Sequence, residues 1–357
     1  MGGLGLREAT STSSAAFLGS CFSSQELCYR LLQSFSGGPD VFPSIPDQDV
    51  ATSILLPLIN SDSLPDLIHP ACGQRVFQHE LDIARQTLLL NSLTIRDQAR
   101  IRSISADPCT SSWLRAIPCD SLGLSMSSQE FVCSLRYWLG VPLFSATSPV
   151  RCPCGSVVDQ FGDHLLGCGH GPMRIRRHDA LCDVIYHALL QDNTGCRKEQ
   201  RCAGSRLDRP GDVFHPDFVH GKPAYFDVTV RCPLQESLLG RSAVSAGVAA
   251  AKGDEDKDAH HDELVQAAGG VFVPLVVESL GLWSAASRPV LQDIALRTTT
   301  RSGISRGLAY RHLLEQLSVC LWRHNSRTFL HLFSLLPGSP LWELNSVSCS
   351  HPLQFGQ

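Results

Sequence analysis

Four side chains able to ligate a metal fall within 17 residues: Cys152-Pro153-Cys154, then His164 after nine residues, then Cys168 after three more. Ligands of this softness and spacing suit tetrahedral Zn²⁺. Gly155 and Gly162 allow the sharp turns that so small a loop requires. The first spacer, a single residue, is tighter than the usual two to four, and His170 is a second candidate for the third position. Four protein ligands leave no open coordination site, so the expected role is structural. The chain has 15 cysteines, an odd number, with no basic start followed by an apolar run. A reducing, intracellular setting is expected, with the remaining thiols acting as small buried hydrophobes.

Around this knuckle the apolar spacing is mostly helical. Residues 75–102 carry Val76, Leu81, Ile83, Leu88, Leu89, Leu90 and Leu93, and 125–139 starts on serines and is closed by Pro142. An amphipathic helix is expected from about Ile175 to Leu190, a helix over 243–266 with an interruption at Gly253, and a last amphipathic helix over 305–333. Extended segments are expected near 196–202, 212–214 and 224–230, and Val271–Val277 reads as a buried strand. The expected class is therefore α+β. It divides into a helical region over 1–150, the zinc knuckle over 151–171, a mixed-sheet domain over 172–335 and a tail over 336–357. No run of about 18 apolar residues occurs, so no membrane span is expected. A net charge of −4 argues against a surface that coats nucleic acid along its whole length.

The chemistry concentrates in a predicted hairpin. Arg209-Pro210-Gly211-Asp212-Val213-Phe214 is followed 15 positions after Asp212 by Asp227-Val228-Thr229-Val230, with a turn near His220–Pro223 midway. Such a hairpin brings Asp212 and Asp227 together, while Pro216 disturbs the ladder and leaves the register open. A carboxylate among Phe226, Val228 and Val230 is costly unless it is paired or binds a cation. Mg²⁺ takes one or two carboxylates and completes its shell with water and phosphate oxygens, an arrangement suited to phosphodiester hydrolysis. The alternative is a turn-capping aspartate, or an ion pair to Arg209 or Lys222. Lys252 and Lys257 are the candidates for a lysine that orients water and stabilises the phosphate, and Glu199 is a candidate further carboxylate.

Taken together these residues resemble the C-terminal region of non-LTR retrotransposon polyproteins that carry a restriction-like endonuclease. Cys152, Cys154, His164 and Cys168 match the CCHC knuckle of that family. Arg209-Pro210-Gly211-Asp212 matches its basic-Pro-Asp motif with Gly211 as an extra residue, and Asp227-Val228-Thr229-Val230 matches the second acidic motif. Gly2-Gly3-Leu4-Gly5-Leu6 resembles the start of the reverse transcriptase thumb. The resemblance implies a PD-(D/E)XK core, a mixed sheet flanked by helices. Thr229 stands where many such nucleases have lysine, so the resemblance implies a lysine moved to the next helix, Lys257 before Lys252. It also implies nicking of target DNA to prime reverse transcription in the nucleus. No Tyr/Phe-x-Asp-Asp motif occurs, so the chain is not expected to polymerise DNA by itself.

Between Gly171 and Pro210 there are eight Arg or Lys against five Asp or Glu. Arg174, Arg176, Arg177 and Arg209 are the expected phosphate contacts, with DNA as partner and the element's RNA as a further one. Two rival readings use the same residues: a catalytically inactive nucleic-acid-binding remnant, and a zinc-stabilised interaction protein.

Overall fold

A computed structural model describes residues 12–21, 24, 30, 46–55, 74–145, 150–192, 194–201, 210–267 and 269–334. The segments at 2–6, 202–209 and 336–357, and with them Arg209 and the thumb-like glycines, lie outside the described residues. Two compact units divide at Thr94 and Ile95. In the first, described residues 12–21 are helical, followed by α1 (Pro46–Leu55) and α2 (Gln74–Ser92).

The second unit is α+β. Its helices are α3 (Ile95–Ser105), α4 (Ser112–Arg115), α5 (Ser128–Leu139), α6 (Asp163–Gly167), α7 (Pro172–Leu189), α8 (Glu236–Val244), α9 (Val248–Ala267), α10 (Ser287–Ser302) and α11 (Arg306–Ser334). Strands β1 (Val150–Arg151) and β2 (Val157–Val158) form a small antiparallel pair within the knuckle. The main sheet has the order β3 (Arg197–Lys198), β4 (Val213–Val219), β5 (Lys222–Arg231), β6 (Val271–Glu278). Its first two pairings are antiparallel and β5–β6 is parallel. A parallel pair requires a crossover, which α8 and α9 supply.

Alternation along β5 assigns the faces. Ala224, Phe226 and Val228 join Val213 in a core with Leu181, Ile185 and Leu189 of α7, Leu291 and Ile294 of α10, and Leu313, Leu317 and Leu321 of α11. On the other face Tyr225 packs with Phe272 and with Val265 of α9. The sheet is thus covered on both faces. A second core gathers Ala99 and Ile104 of α3, Trp113, Tyr137 and Trp138, the knuckle residues Val158, Leu165 and Leu166, and Trp322 and Phe329 of α11. Trp113 stacks on Trp322 at 5.0 Å, and Trp138 meets the same ring edge-on at 5.5 Å.

Local signals account for several boundaries. Ser127 and Glu130 form a reciprocal capping box at the start of α5, and Gly140 closes it in the left-handed region. The β4–β5 register shifts between His215 and Val219, where Pro216 cannot donate to the ladder. One expectation is corrected. The helix expected to break at Gly253 breaks instead at residues 245–247, and α9 runs through Gly253 unbroken. A Cβ at Gly253 would lie 2.6 Å from Val276 Cγ1 and 3.1 Å from Arg231 Cγ, so this glycine lets the helix sit close on the sheet. Helix α10 has no counterpart among the segments expected from periodicity.

His324 of α11 adds a pH dependence to the fold. Its Nδ1 is buried with no hydrogen-bond partner among the described residues. Burial, with Arg327 and Arg323 nearby, lowers its pKa from 6.5 to about 4. The neutral ring therefore stabilises the fold fully above pH 6.5, and that contribution is lost as pH falls toward about 4. His324→Gln should flatten the fall in Tm across this window; an unchanged slope would show that other groups carry it.

Candidate functional site

Asp212 is set by the close crossing of two backbones. The residue before it, Gly211, approaches β5 so tightly that a Cβ there would stand 2.8 Å from the Phe226 carbonyl oxygen and 3.1 Å from Tyr225 C. The Asp212 amide donates to that same Phe226 carbonyl at 2.7 Å. Gly211→Ala should therefore cost about 1–3 kcal/mol, since backbone cannot yield as a side-chain tip can. Urea unfolding with a midpoint equal to that of the wild type would contradict this.

Val213 is paired with Phe226, so Asp212 and Asp227 lie side by side across the β4–β5 junction. The Val228 amide donates to Asp212 Oδ2 at 2.7 Å, placing this carboxylate against the residue that follows Asp227. Its other oxygen, Oδ1, is 3.1 Å from His178 Nε2 on α7. Asp227 Oδ2 is 2.9 Å from Lys257 Nζ on α9 and accepts from Thr229 Oγ1 at 3.2 Å. Burial and the neighbouring Asp212 charge raise the Asp227 pKa above the ordinary carboxylate value, with Lys257 opposing them. Burial also opposes ionisation of Asp212, but His178 and the Val228 N–H outweigh it and hold that pKa low. The hydrogen bond to Asp212 correspondingly raises the His178 pKa. Divergent pKa values in one acid pair are a recurring mark of catalytic sites.

Of the two candidate lysines it is Lys257 that meets an aspartate of the pair. Lys252, five residues earlier, pairs within its own helix, with Glu255 at 3.3 Å and Asp256 at 3.0 Å. Glu199 lies at the end of β3, exposed, with its amide donating to the Asp212 carbonyl at 2.8 Å. Its carboxylate belongs to neither group of clustered ligand atoms found among the described residues. Beside the aspartates opens a cleft of about 380 Å³ whose lining includes Arg174, His178, Thr229, Arg231 and Lys257. Arg231 is held there by Asp256 at 2.7 Å.

The basic face is smaller than the sequence suggested. Arg174 and Arg176 are exposed on the first turns of α7, but Arg177 is only 3% exposed and is not a surface phosphate contact. Its Nη1 donates to Asn325 Oδ1 at 2.9 Å and its Nη2 to the Leu166 carbonyl at 3.0 Å. Burial lowers this guanidinium to about 10. The helical period explains the difference: Arg177 shares the inward stripe with Met173 and Leu181.

The four predicted knuckle ligands converge, with the ligand atoms of Cys152, Cys154, His164 and Cys168 all within 4.8 Å of one another. Cys152 Sγ and Cys168 Sγ are 3.7 Å apart, and Cys154 Sγ is 3.2 Å from His164 Nε2. His164 rather than His170 completes the group; His170 instead turns its backbone amide toward Cys168 Sγ at 3.4 Å. These separations fit the edges of a tetrahedron with Zn–S bonds of about 2.3 Å and Zn–N of about 2.0–2.1 Å.

Two residues of the acidic site, His178 and Arg231, carry no local signal in the sequence. Neither has a spacing that ties it to the aspartates: His178 lies 34 positions before Asp212, and the contact exists only once α7 packs on the sheet. No protein-family model matches the chain, and no curated protein matches it. Among the described residues no helix is long and apolar enough to cross a membrane.

Proposed function

We propose that this chain is a metal-dependent DNA endonuclease of the restriction-like, PD-(D/E)XK type, derived from a non-LTR retrotransposon and acting on DNA in the nucleus. The observation that carries this reading is the juxtaposition of Asp212, bonded to the Val228 amide, with Asp227, bonded to Lys257 on the following helix. In this reading Asp212 and Asp227 hold Mg²⁺ at the edge of the cleft. The bound ion would supply Lewis-acid charge and lower the pKa of an attacking water.

Lys257 would release Asp227 and donate to a non-bridging phosphate oxygen, offsetting the charge that builds there. Thr229, in the position of the familiar strand lysine, keeps Asp227 oriented through its hydroxyl. Arg174 and Arg231 border the cleft and would track the phosphate backbone, so binding should weaken as salt rises. The knuckle, filled with zinc, would brace the second core against α11.

The test is nicking of supercoiled plasmid by the wild type and by Asp227→Ala, with Mg²⁺ and with EDTA. Nicking by the wild type with Mg²⁺, lost in the variant and with EDTA, is expected. Equal cleavage by wild type and variant, or cleavage indifferent to EDTA, would overturn the assignment.

A further inference from the structure

The helix beside the acid pair presents a second set of ligand atoms. His178 and Cys182 stand one turn apart on α7, with His178 Nε2 and Cys182 Sγ 3.6 Å from each other. Asp212 Oδ1 lies 3.1 Å from the same nitrogen, and the three ligand atoms fall within 4.8 Å of one another. Zinc bonds of about 2.3 Å to sulfur and about 2.0–2.1 Å to nitrogen and oxygen place neighbouring ligands about 3.3–3.6 Å apart at the tetrahedral angle. The two separations to His178 Nε2 lie close to that figure. A thiolate and an imidazole are poor ligands for Mg²⁺ and good ones for Zn²⁺. Asp227 stands outside this group, its Oδ2 engaged by Lys257.

We infer that His178, Cys182 and Asp212 form a second zinc site, separate from the knuckle, that takes Asp212 away from the Mg²⁺ centre and so inhibits cleavage. The site has a route to solvent, because His178 lines the cleft and its side chain is 35% exposed. Three protein ligands leave the fourth position to water. Zinc binding here depends only on the three side chains, whereas its inhibitory consequence rests on the endonuclease reading.

The two parts are separable by experiment. The 357-residue chain, equilibrated in zinc-buffered solution containing millimolar Mg²⁺, is analysed for bound zinc. The wild type should hold two equivalents, and His178→Ala and Cys182→Ser one each. His178 is partly exposed, so its variant keeps the test valid if the buried Cys182 substitution fails to fold. Equal zinc content in the wild type and His178→Ala overturns the site. In the nicking assay, His178→Ala should need at least about tenfold more added zinc for half-inhibition relative to its own rate without added zinc. An unchanged half-inhibitory concentration overturns the inhibitory role. A wild type that binds two zincs yet nicks nothing would remove the endonuclease reading and leave the metal site standing.

Discussion

Asp227→Asn should abolish Mg²⁺-dependent nicking while leaving the protein folded and no less stable. The loss expected is at least about a thousandfold in rate, or about 4 kcal/mol of barrier, because one of the two carboxylates proposed to hold the ion becomes a neutral amide. Stability should move differently. In the absence of metal, Asp227 is a buried charge beside the Asp212 charge, offset in part by Lys257. An asparagine removes the like-charge repulsion, and its amide can still accept from Thr229. The Tm in EDTA should therefore equal or exceed that of the wild type. A variant that loses both cleavage and several degrees of Tm would assign Asp227 a structural role instead. Retained cleavage would remove it from the site altogether.

Removing metal from the knuckle should have the largest effect on the fold. Cys152 and Cys168 are buried in the same core as Trp113, Trp138 and Trp322, so the cluster is continuous with the hydrophobic interior. Structural zinc sites contribute folding free energy directly, and breaking one leaves buried thiols without their counter-ion. Cys168→Ser, or chelation of the wild type, should lower Tm by about 8–16 °C, taking about 4 kcal/mol and about 2–4 °C per kcal/mol for a unit of this size. Tryptophan emission should shift to the red, since three of the rings line that core. Identical melting and emission before and after chelation would show that the four side chains converge without binding metal.

How far the sequence foretold these features depended on the distance over which each signal acts. The knuckle ligands and the hairpin aspartates were legible because a single short loop or hairpin brings each set together. Lys257 could be ranked above Lys252 only through family resemblance; the geometry behind that order is a five-residue spacing, which turns the helix through about 140° and puts Lys257 over Asp227 and Lys252 beside Asp256. Arg177 misled because the arginines at 174, 176 and 177 look alike in a charge count, although helical phase turns only Arg177 inward. Gly211 looked like a departure from a motif. It is the residue whose missing side chain permits the β4–β5 approach that sets Asp212. His178 and Cys182 carried no signal at all, since their relation to Asp212 is made by packing between a helix and a strand edge.

The buried guanidinium of Arg177 ties these parts mechanically. It grips a carbonyl of the knuckle helix and an amide of α11, and its immediate neighbour on α7 is the histidine that touches Asp212. A slackened knuckle would let α7 rotate, and a small rotation there would be levered through His178 onto the Asp212 carboxylate. Occupancy of a purely architectural ion would then be transmitted to the acid pair at the edge of the sheet through a single rigid rod.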